Sequence, residues 1–259
     1  MTRPMSFRAL HHAELPLLLP NAWDVPSAIA FVEAGFPAVG TTSFGVATSA
    51  GHPDGDGATR DANRVLAERL ARLPAYVSID IEDGYSEDPE EVAAYVAELG
   101  SYGVAGVNIE DSLAARLVDP TRQAAKLAAV KERSPDVFVN ARVDTYWFDQ
   151  DATVPATVER ALAYVAAGAD GVFVPGLTDP AAIREIAAAV PAPLNLLVTP
   201  GLALRDLAEL GVRRVSTGSL PYRAAVDAAV RAATAVRDGE QPPTATSYAE
   251  ANERVRRYP

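Results

Sequence analysis

The chain has 259 residues, is 49% hydrophobic, and carries a formal charge of −11 with no cysteine. This length and apolar content suit one large domain, and the acidic balance disfavours nucleic acid and anionic lipid as partners. The missing cysteine removes disulfides, thiolate zinc sites and thiol nucleophiles, and three histidines (His11, His12, His52) are too few and too scattered for a multi-histidine metal centre. The chemistry therefore rests on carboxylates, Arg, Lys, Tyr and hydroxyls.

The N-terminal stretch "MTRPMSFRALHHAELP" lacks the apolar core of a secretory leader. No run of 18 apolar residues follows, so no membrane span is expected. The expectation is a soluble, cytoplasmic protein. Short aliphatic runs then alternate with Ala-rich segments of helical period. "LPLLLP" (15–20) precedes "VPSAIAFVEAG", and "PAVGTTS" (37–43) leads into a Gly-rich loop, 45–57. "LPAYVSIDI" (73–81) precedes "DPEEVAAYVAELGSYG", and "VAGVNIED" (104–111) precedes "TRQAAKLAAVKER". "DVFVNARVD" (136–144), "ADGVFVPG" (169–176), "PAPLNLLVTPG" (191–201) and "VRRVSTGS" (212–219) continue the series, each with a helical segment after it.

Asp88-Pro89 and Asp179-Pro180 read as helix starts, with a capping carboxylate before a proline in the first turn. Gly35, Gly100, Gly168 and Gly211 read as helix stops. The strand cores are continuous rather than alternating, as expected when both faces of a sheet are covered. Eight such units predict an α/β fold of the (β/α)8 TIM-barrel type. An open doubly wound sheet is the runner-up, weakened because no GxGxxG follows the first strand. Residues 1–238 form the predicted barrel domain and residues 239–259 a polar C-terminal tail.

In such a barrel the active site sits at the C-terminal strand ends. Asp80 and Glu82 are two apart on one strand and share a face. Glu110 ends the next strand, and Asp54 lies in the Gly-rich loop. These four carboxylates suit Mg²⁺, with Mn²⁺ as the alternative ion, because a hard ion keeps several waters and takes few direct protein ligands. The competing reading is a set of solvated loop and cap acids. Arg142 at the end of the fifth strand needs an anionic partner, either a substrate or a neighbouring Asp144 or Glu110. Asn195 in "PLNLL" reads equally as a substrate contact or as a core amide satisfied by backbone. Trp23 and Trp147 read as packing residues and His52 as solvated.

"PNAWDVPSA", "TTSFGVATSAGHPDGD", "DIEDGY", "GVNIED", "NARVD" and "GADGVFVPG" occur in this order. Together they resemble the isocitrate lyase and phosphoenolpyruvate mutase superfamily. The resemblance implies a barrel whose last helix is often swapped between subunits. It also implies a homodimer or homotetramer, Mg²⁺, and C–C or P–C chemistry on small anionic 2-oxo or 2-hydroxy acids. By motif, Asp80 resembles the direct metal ligand, and Glu82, Asp54 and Glu110 the acids that hold the metal's waters. Arg142 resembles the substrate-binding arginine, and Thr42 and Ser43 the turn that grips the substrate carboxylate.

One departure redirects the function. The loop after the fourth strand, "EDSLAARLVDPTRQ", holds no Cys, His or Lys, so the acid used by lyases of that superfamily is missing. A retro-aldol cleavage needs a base and an acid. Decarboxylation of a 3-carboxy-2-oxo acid needs neither as the bond breaks, and the proton can follow from water or Tyr85. The expectation is an Mg²⁺-dependent carbon–carbon lyase or oxaloacetate-type decarboxylase acting through a metal-stabilised enolate. The alternatives are phosphonopyruvate-type P–C chemistry and a non-catalytic 2-oxo acid binding protein.

Overall fold

The computed structural model describes residues 5–55 and 57–259. Seven strands follow the predicted order: β3 (Ala38–Thr41), β4 (Tyr76–Asp80), β5 (Gly106–Glu110), β8 (Phe138–Arg142), β9 (Gly171–Phe173), β10 (Leu194–Leu197) and β11 (Val212–Ser216). The first predicted strand is split at Pro20 into β1 (Leu17–Leu19) and β2 (Asn21–Ala22). A proline has no N–H to give to a ladder. Here the break lets one segment serve two neighbours: β1 pairs with β11 and β2 pairs with β3, both in parallel. The Pro20 carbonyl still accepts from the Gly40 amide at 2.8 Å. Every other neighbouring pair in the order β11-β10-β9-β8-β5-β4-β3 is parallel as well. The ring is thus an eight-station (β/α)8 barrel.

Helices α2 (Val25–Glu33), α4 (Arg60–Leu70), α5 (Pro89–Tyr102), α6 (Pro120–Arg133), α7 (Val154–Ala166), α8 (Pro180–Ala189), α9 (Leu204–Glu209) and α10 (Leu220–Arg237) follow the stations in turn. Asp24 caps α2, accepting from the Ser27 amide at 2.8 Å while the Ser27 hydroxyl accepts from the Asp24 amide at 3.3 Å. Asp88 and Asp179 cap α5 and α8 as predicted. Such a cap contributes about 1 kcal/mol. Gly35, Gly168 and Gly211 end their helices in left-handed backbone. Gly100 does not: α5 runs on to Tyr102 and stops at Gly103, φ 103°. The main core lies between sheet and helices, built from residues such as Val77, Ile79, Val107, Leu127, Val139 and Ile186, each at most 1% exposed.

Besides α4, three elements lie outside the sequence reading. Helix α3 (Ser43–Ser49) occupies the start of the Gly-rich loop, with the Thr42 hydroxyl as its cap. A hairpin, β6 (Ser112–Leu113) and β7 (Arg116–Leu117), follows β5 and turns on Ala114 and Ala115 at φ 48° and 59°. Helix α1 (Phe7–Leu10) closes the bottom of the barrel, where Phe7 packs with Leu17, Leu19, Ala38 and Phe138.

Two elements reach past the compact body. Helix α10 buries none of its residues and leaves Leu220, Val226, Val230 and Val236 exposed. The tail carries α11 (Tyr248–Arg256), which lies on α2 through the Arg254–Glu33 ion pair at 2.9 Å. Among the described residues no helix is long and apolar enough to cross a membrane.

Candidate active site

Two adjoining cavities open at the C-terminal ends of the strands and share Ser43, Asp54, Arg142 and Trp147 in their walls. The inner one, about 110 Å³, is walled by Asn21, Thr42, Asp80, Asn108, Phe173 and Ser216 among others. That is roughly the liquid volume of four waters. The outer cleft, about 690 Å³, runs past Glu82, Tyr85 and Glu110 to the hairpin residues Leu113, Ala114 and Ala115 and to Phe148.

Asp80 and Glu110 end β4 and β5, and Arg142 ends β8. The register puts Asp80 beside Asn108 and Glu110 beside Arg142. Arg142 is the positive centre of the group. Its Nη1 lies 2.6 Å from Glu110 Oε2, and its Nε donates to Asp144 Oδ1 at 2.6 Å. The salt-bridge alternative weighed from sequence is therefore realised with both acids. Asp144 is fully buried and is fixed in turn by the Ser112 hydroxyl at 2.5 Å. The Asp144 amide donates to Asp111 Oδ1 at 2.8 Å. Asp111 also accepts from Tyr164 at 2.7 Å and from Arg160 at 2.9 Å. A buried arginine held on two carboxylates is fixed in direction as well as charge.

The acids carry the strain of crowding. Burial pushes the Asp80 carboxyl above its ordinary range, and Asp54 adds to this, while Arg142 and the Ser43 amide (3.2 Å from Oδ2) pull it back. Glu110 is pushed up by burial and by Asp144, Asp80 and Asp54, against the pull of Arg142. Burial also raises Glu82, whose Oε1 accepts from the Thr59 hydroxyl and whose Oε2 accepts from the Gly57 amide at 3.1 Å. Glu82 and Tyr85 sit at φ 50° and 62°, a left-handed backbone that costs each about 1–2 kcal/mol. β4 ends at Asp80, so Glu82 does not share a strand face with it as expected from the sequence; the bend turns Glu82 toward Gly57. Asp83 points elsewhere, 3.6 Å from Lys126.

The fit to a divalent cation follows from this donor set. Among the described residues no three acids or histidines stand close enough to hold an ion as they are. A hard, water-rich ion needs only one or two direct carboxylates. Asp80 meets that need: it is crowded by like charge and borders the inner cavity, and its neighbours Glu110 and Asp54 share the cavity walls. The donor set is therefore compatible with a hard divalent ion, and Asp80 is the carboxylate that borders the inner cavity.

Two sequence-nominated residues are placed differently from the expectation. Asn195 is fully buried and exchanges hydrogen bonds with the Ser216 hydroxyl at 3.1 and 3.2 Å; neither cavity is lined by it. It is an interior amide, one residue removed from the inner cavity through Ser216. The Tyr85 ring borders the outer cleft, but its hydroxyl is held by Asn63 at 2.6 Å and Thr59 at 3.0 Å, and burial raises it well above the ordinary phenol range. Ser43 borders both cavities and Thr42 the inner one. Sequence reasoning missed Thr59, Asp111 and the β6–β7 hairpin. The Asp-Ser pair after Glu110 was the available signal for the hairpin's anchor.

The family description for phosphoenolpyruvate phosphomutase matches residues 7–237. An uncharacterized protein of Mycobacterium tuberculosis (strain H37Rv) is 58% identical over 254 residues, covering 98% of this chain and 97% of that one. An oxaloacetate decarboxylase of Rhodopseudomonas palustris (strain TIE-1) is 32% identical over 196 residues, covering 71% of this chain and 66% of its own. A candidate phosphonomutase of Burkholderia cenocepacia superposes with a TM-score of 0.82 at 40% identity, covering 86% of this chain and 96% of that one. A phosphonopyruvate hydrolase solved with oxalate and Mg²⁺ shares the fold, with a TM-score of 0.86 at 24% identity over 97% of this chain and 95% of its own. The matched span of 7–237 takes in all eight barrel stations and the acid-lined mouth, and the chain belongs to the phosphoenolpyruvate phosphomutase family, within the PEP mutase/isocitrate lyase superfamily.

Proposed function

We propose that this protein breaks a C–C bond in a small 2-oxo or 2-hydroxy di- or tricarboxylate, and that decarboxylation of an oxaloacetate-like acid is its reaction. The observation that carries this reading is the wall over the cleft. The hairpin tip presents Leu113, Ala114 and Ala115, and Trp147 and Phe148 stand with it. The chain has no cysteine, and none of these five side chains can protonate a departing carbanion. Loss of CO₂ needs no such group. A wall of methyl groups and aromatic rings also strips water from a leaving carboxylate, which favours its departure as neutral CO₂.

The chain's own residues supply the rest. Arg142 is held rigidly by Glu110 and Asp144, its closest contacts to them being made by Nη1 and Nε. The guanidinium binds the retained carboxylate, with Thr42 and Ser43 beside it. As the C3–carboxylate bond breaks, its electron pair moves into a C2–C3 double bond and charge collects on the C2 oxygen. Asp80 would hold Mg²⁺ directly, with Glu82, Glu110 and Asp54 holding its waters, and the ion would supply positive charge where the enolate charge collects. C3 then takes a proton from water admitted through the outer cleft. The Tyr85 hydroxyl is a poor donor, because Thr59 and Asn63 hold it and its acidity is suppressed. It braces Thr59, the residue that also holds Glu82.

The names of relatives support both parts of this reading: an oxaloacetate decarboxylase among the sequences and an Mg²⁺ complex among the structures. P–C chemistry needs cations at the phosphoryl end, and the hairpin's Arg116 lies outside the cleft walls. The exposed apolar side of α10 supports assembly as a homodimer or homotetramer. The test is a panel of 2-oxo and 2-hydroxy acids and phosphonopyruvate, each with Mg²⁺. Pyruvate and CO₂ released from oxaloacetate, above the rate of Mg²⁺ alone and without phosphate from phosphonopyruvate, is the expected result. Phosphate release would establish the P–C reading. A thermal shift without any product would establish a binding protein.

A further inference from the structure

The floor of the inner cavity rests on a buried cation. Arg214, in the middle of β11, is 1% exposed and is the largest fully buried side chain in the described structure. Its Nε donates to the Ser216 hydroxyl at 3.2 Å and its Nη2 to Asn108 Oδ1 at 3.1 Å, while Nη1 has no hydrogen-bond partner. Both acceptors line the inner cavity together with Asp80 and Arg142. Asn108 stands in register with Asp80 and also accepts from Asn140 at 2.9 Å. Among the described residues Arg214 makes no salt bridge.

A guanidinium buried without a carboxylate is costly unless a more distant negative charge compensates it. Burial indeed lowers Arg214 to about 9, and Asp80 is the group that opposes the shift. A side chain on Gly171 would come within 2.9 Å of Asn140 Oδ1, so glycine there leaves room for the polar layer.

We propose that Arg214 is a positioning residue that sets the charge of the inner cavity from below, favouring the bound 2-oxo acid and tempering the hold of the acid cluster on Mg²⁺. This rests on the reading of the mouth as an Mg²⁺ and 2-oxo acid site. Across roughly 10 Å of protein one charge changes binding of a unit charge by about tenfold. The effect has opposite signs for cation and anion, which no simple structural defect would produce.

The experiment compares wild type with Arg214→Met and Arg214→Lys by calorimetry. Mg²⁺ alone is titrated first, then oxalate at saturating Mg²⁺. Both ligands carry two charges, so Arg214→Met is expected to bind Mg²⁺ about a hundredfold more tightly and oxalate about a hundredfold more weakly, with KM raised more than kcat falls. Arg214→Lys keeps the charge without the paired hydrogen bonds and is expected to stay within about threefold of wild type in both titrations. Equal affinities in wild type and Arg214→Met, or shifts in the same direction, would overturn the role of Arg214 alone. Failure of Arg214→Met and of Arg214→Gln to fold while Arg214→Lys folds would overturn it too, showing the charge to be a requirement of the core. Wild-type protein that binds no Mg²⁺ would remove the metal reading, and this proposal with it.

Discussion

Replacing Arg142 with lysine separates charge from geometry. The guanidinium spans two acids, Glu110 with 14% of its side chain exposed and Asp144 with none, at 2.6 Å each. A lysine ammonium is a single point and cannot reproduce that fork. It can stay with one acid and must leave the other without its partner. Breaking a buried pair costs about 3–5 kcal/mol, and the charge kept nearby offsets part, so a net loss of about 3 kcal/mol is expected. For a chain of this size each kcal/mol lowers Tm by about 2–4 °C, giving a drop of about 6–12 °C. The assay is thermal unfolding followed by circular dichroism in EDTA, so that no divalent cation neutralises the acids. kcat/KM with oxaloacetate should fall about 100-fold, mainly through KM. A Tm within 2 °C of wild type would refute the claim that one guanidinium holds both carboxylates.

Asp80→Asn removes a carboxylate that burial and Asp54 hold above its ordinary range. An acid so raised weakens the fold at neutral pH, so the variant should melt higher than wild type without metal and show no Mg²⁺-dependent Tm shift; a retained shift would exclude Asp80 as the ligand. His11 is buried against Phe138 and is lowered to about 3, by burial first and by Arg214 next. Between its ordinary value of 6.5 and that lowered value the unfolded chain binds a proton that the folded one refuses, so stability falls as pH drops through this window. From pH 7 to pH 5 the wild type should lose about 2 kcal/mol more than His11→Phe in urea titrations, and equal losses would contradict the assignment. Ala114 and Ala115 occupy left-handed backbone that Asn-Gly adopts readily in a two-residue hairpin turn. The double variant should gain about 1 kcal/mol in thermal unfolding, and a loss would show that the alanine methyls are packed rather than strained.

The barrel was legible because its signals are local and repeated. Continuous strands such as "AYVSIDI" mark a sheet covered on both faces, and the Asp-Pro caps at 88–89 and 179–180 mark helix starts that the structure keeps. The acid and arginine positions at strand ends were legible for the same reason, since strand ends in a barrel converge. What the chain concealed depends on partners remote in sequence. Asn195 could serve a ligand or the core, and only Ser216, 21 residues on, decides for the core. Tyr85 carries a usable hydroxyl in sequence, but Thr59 and Asn63 claim it from another unit. Helices α3 and α4 were hidden because glycines and polar residues mask their period, and Thr42 reads as a strand end as readily as a cap. Arg214 lies in "VRRVS", where one arginine looks like the other until the pleat sends it inward.

The split at Pro20 ties the order of synthesis to the order of folding. Leu17 cannot meet Arg214, its partner in the ladder, until nearly the whole chain has left the ribosome. At about 5–20 residues per second that delay is roughly 10–40 s. Throughout it the apolar Leu17–Leu19 segment has a free edge on one side, a ready template for pairing with another chain. Contacts this distant along the sequence slow the final step, because the entropy of closing the loop must be spent before the ladder forms. Ring closure therefore cannot precede the synthesis of β11, and slowing translation before residue 214 is expected to lengthen the interval in which that edge stays open.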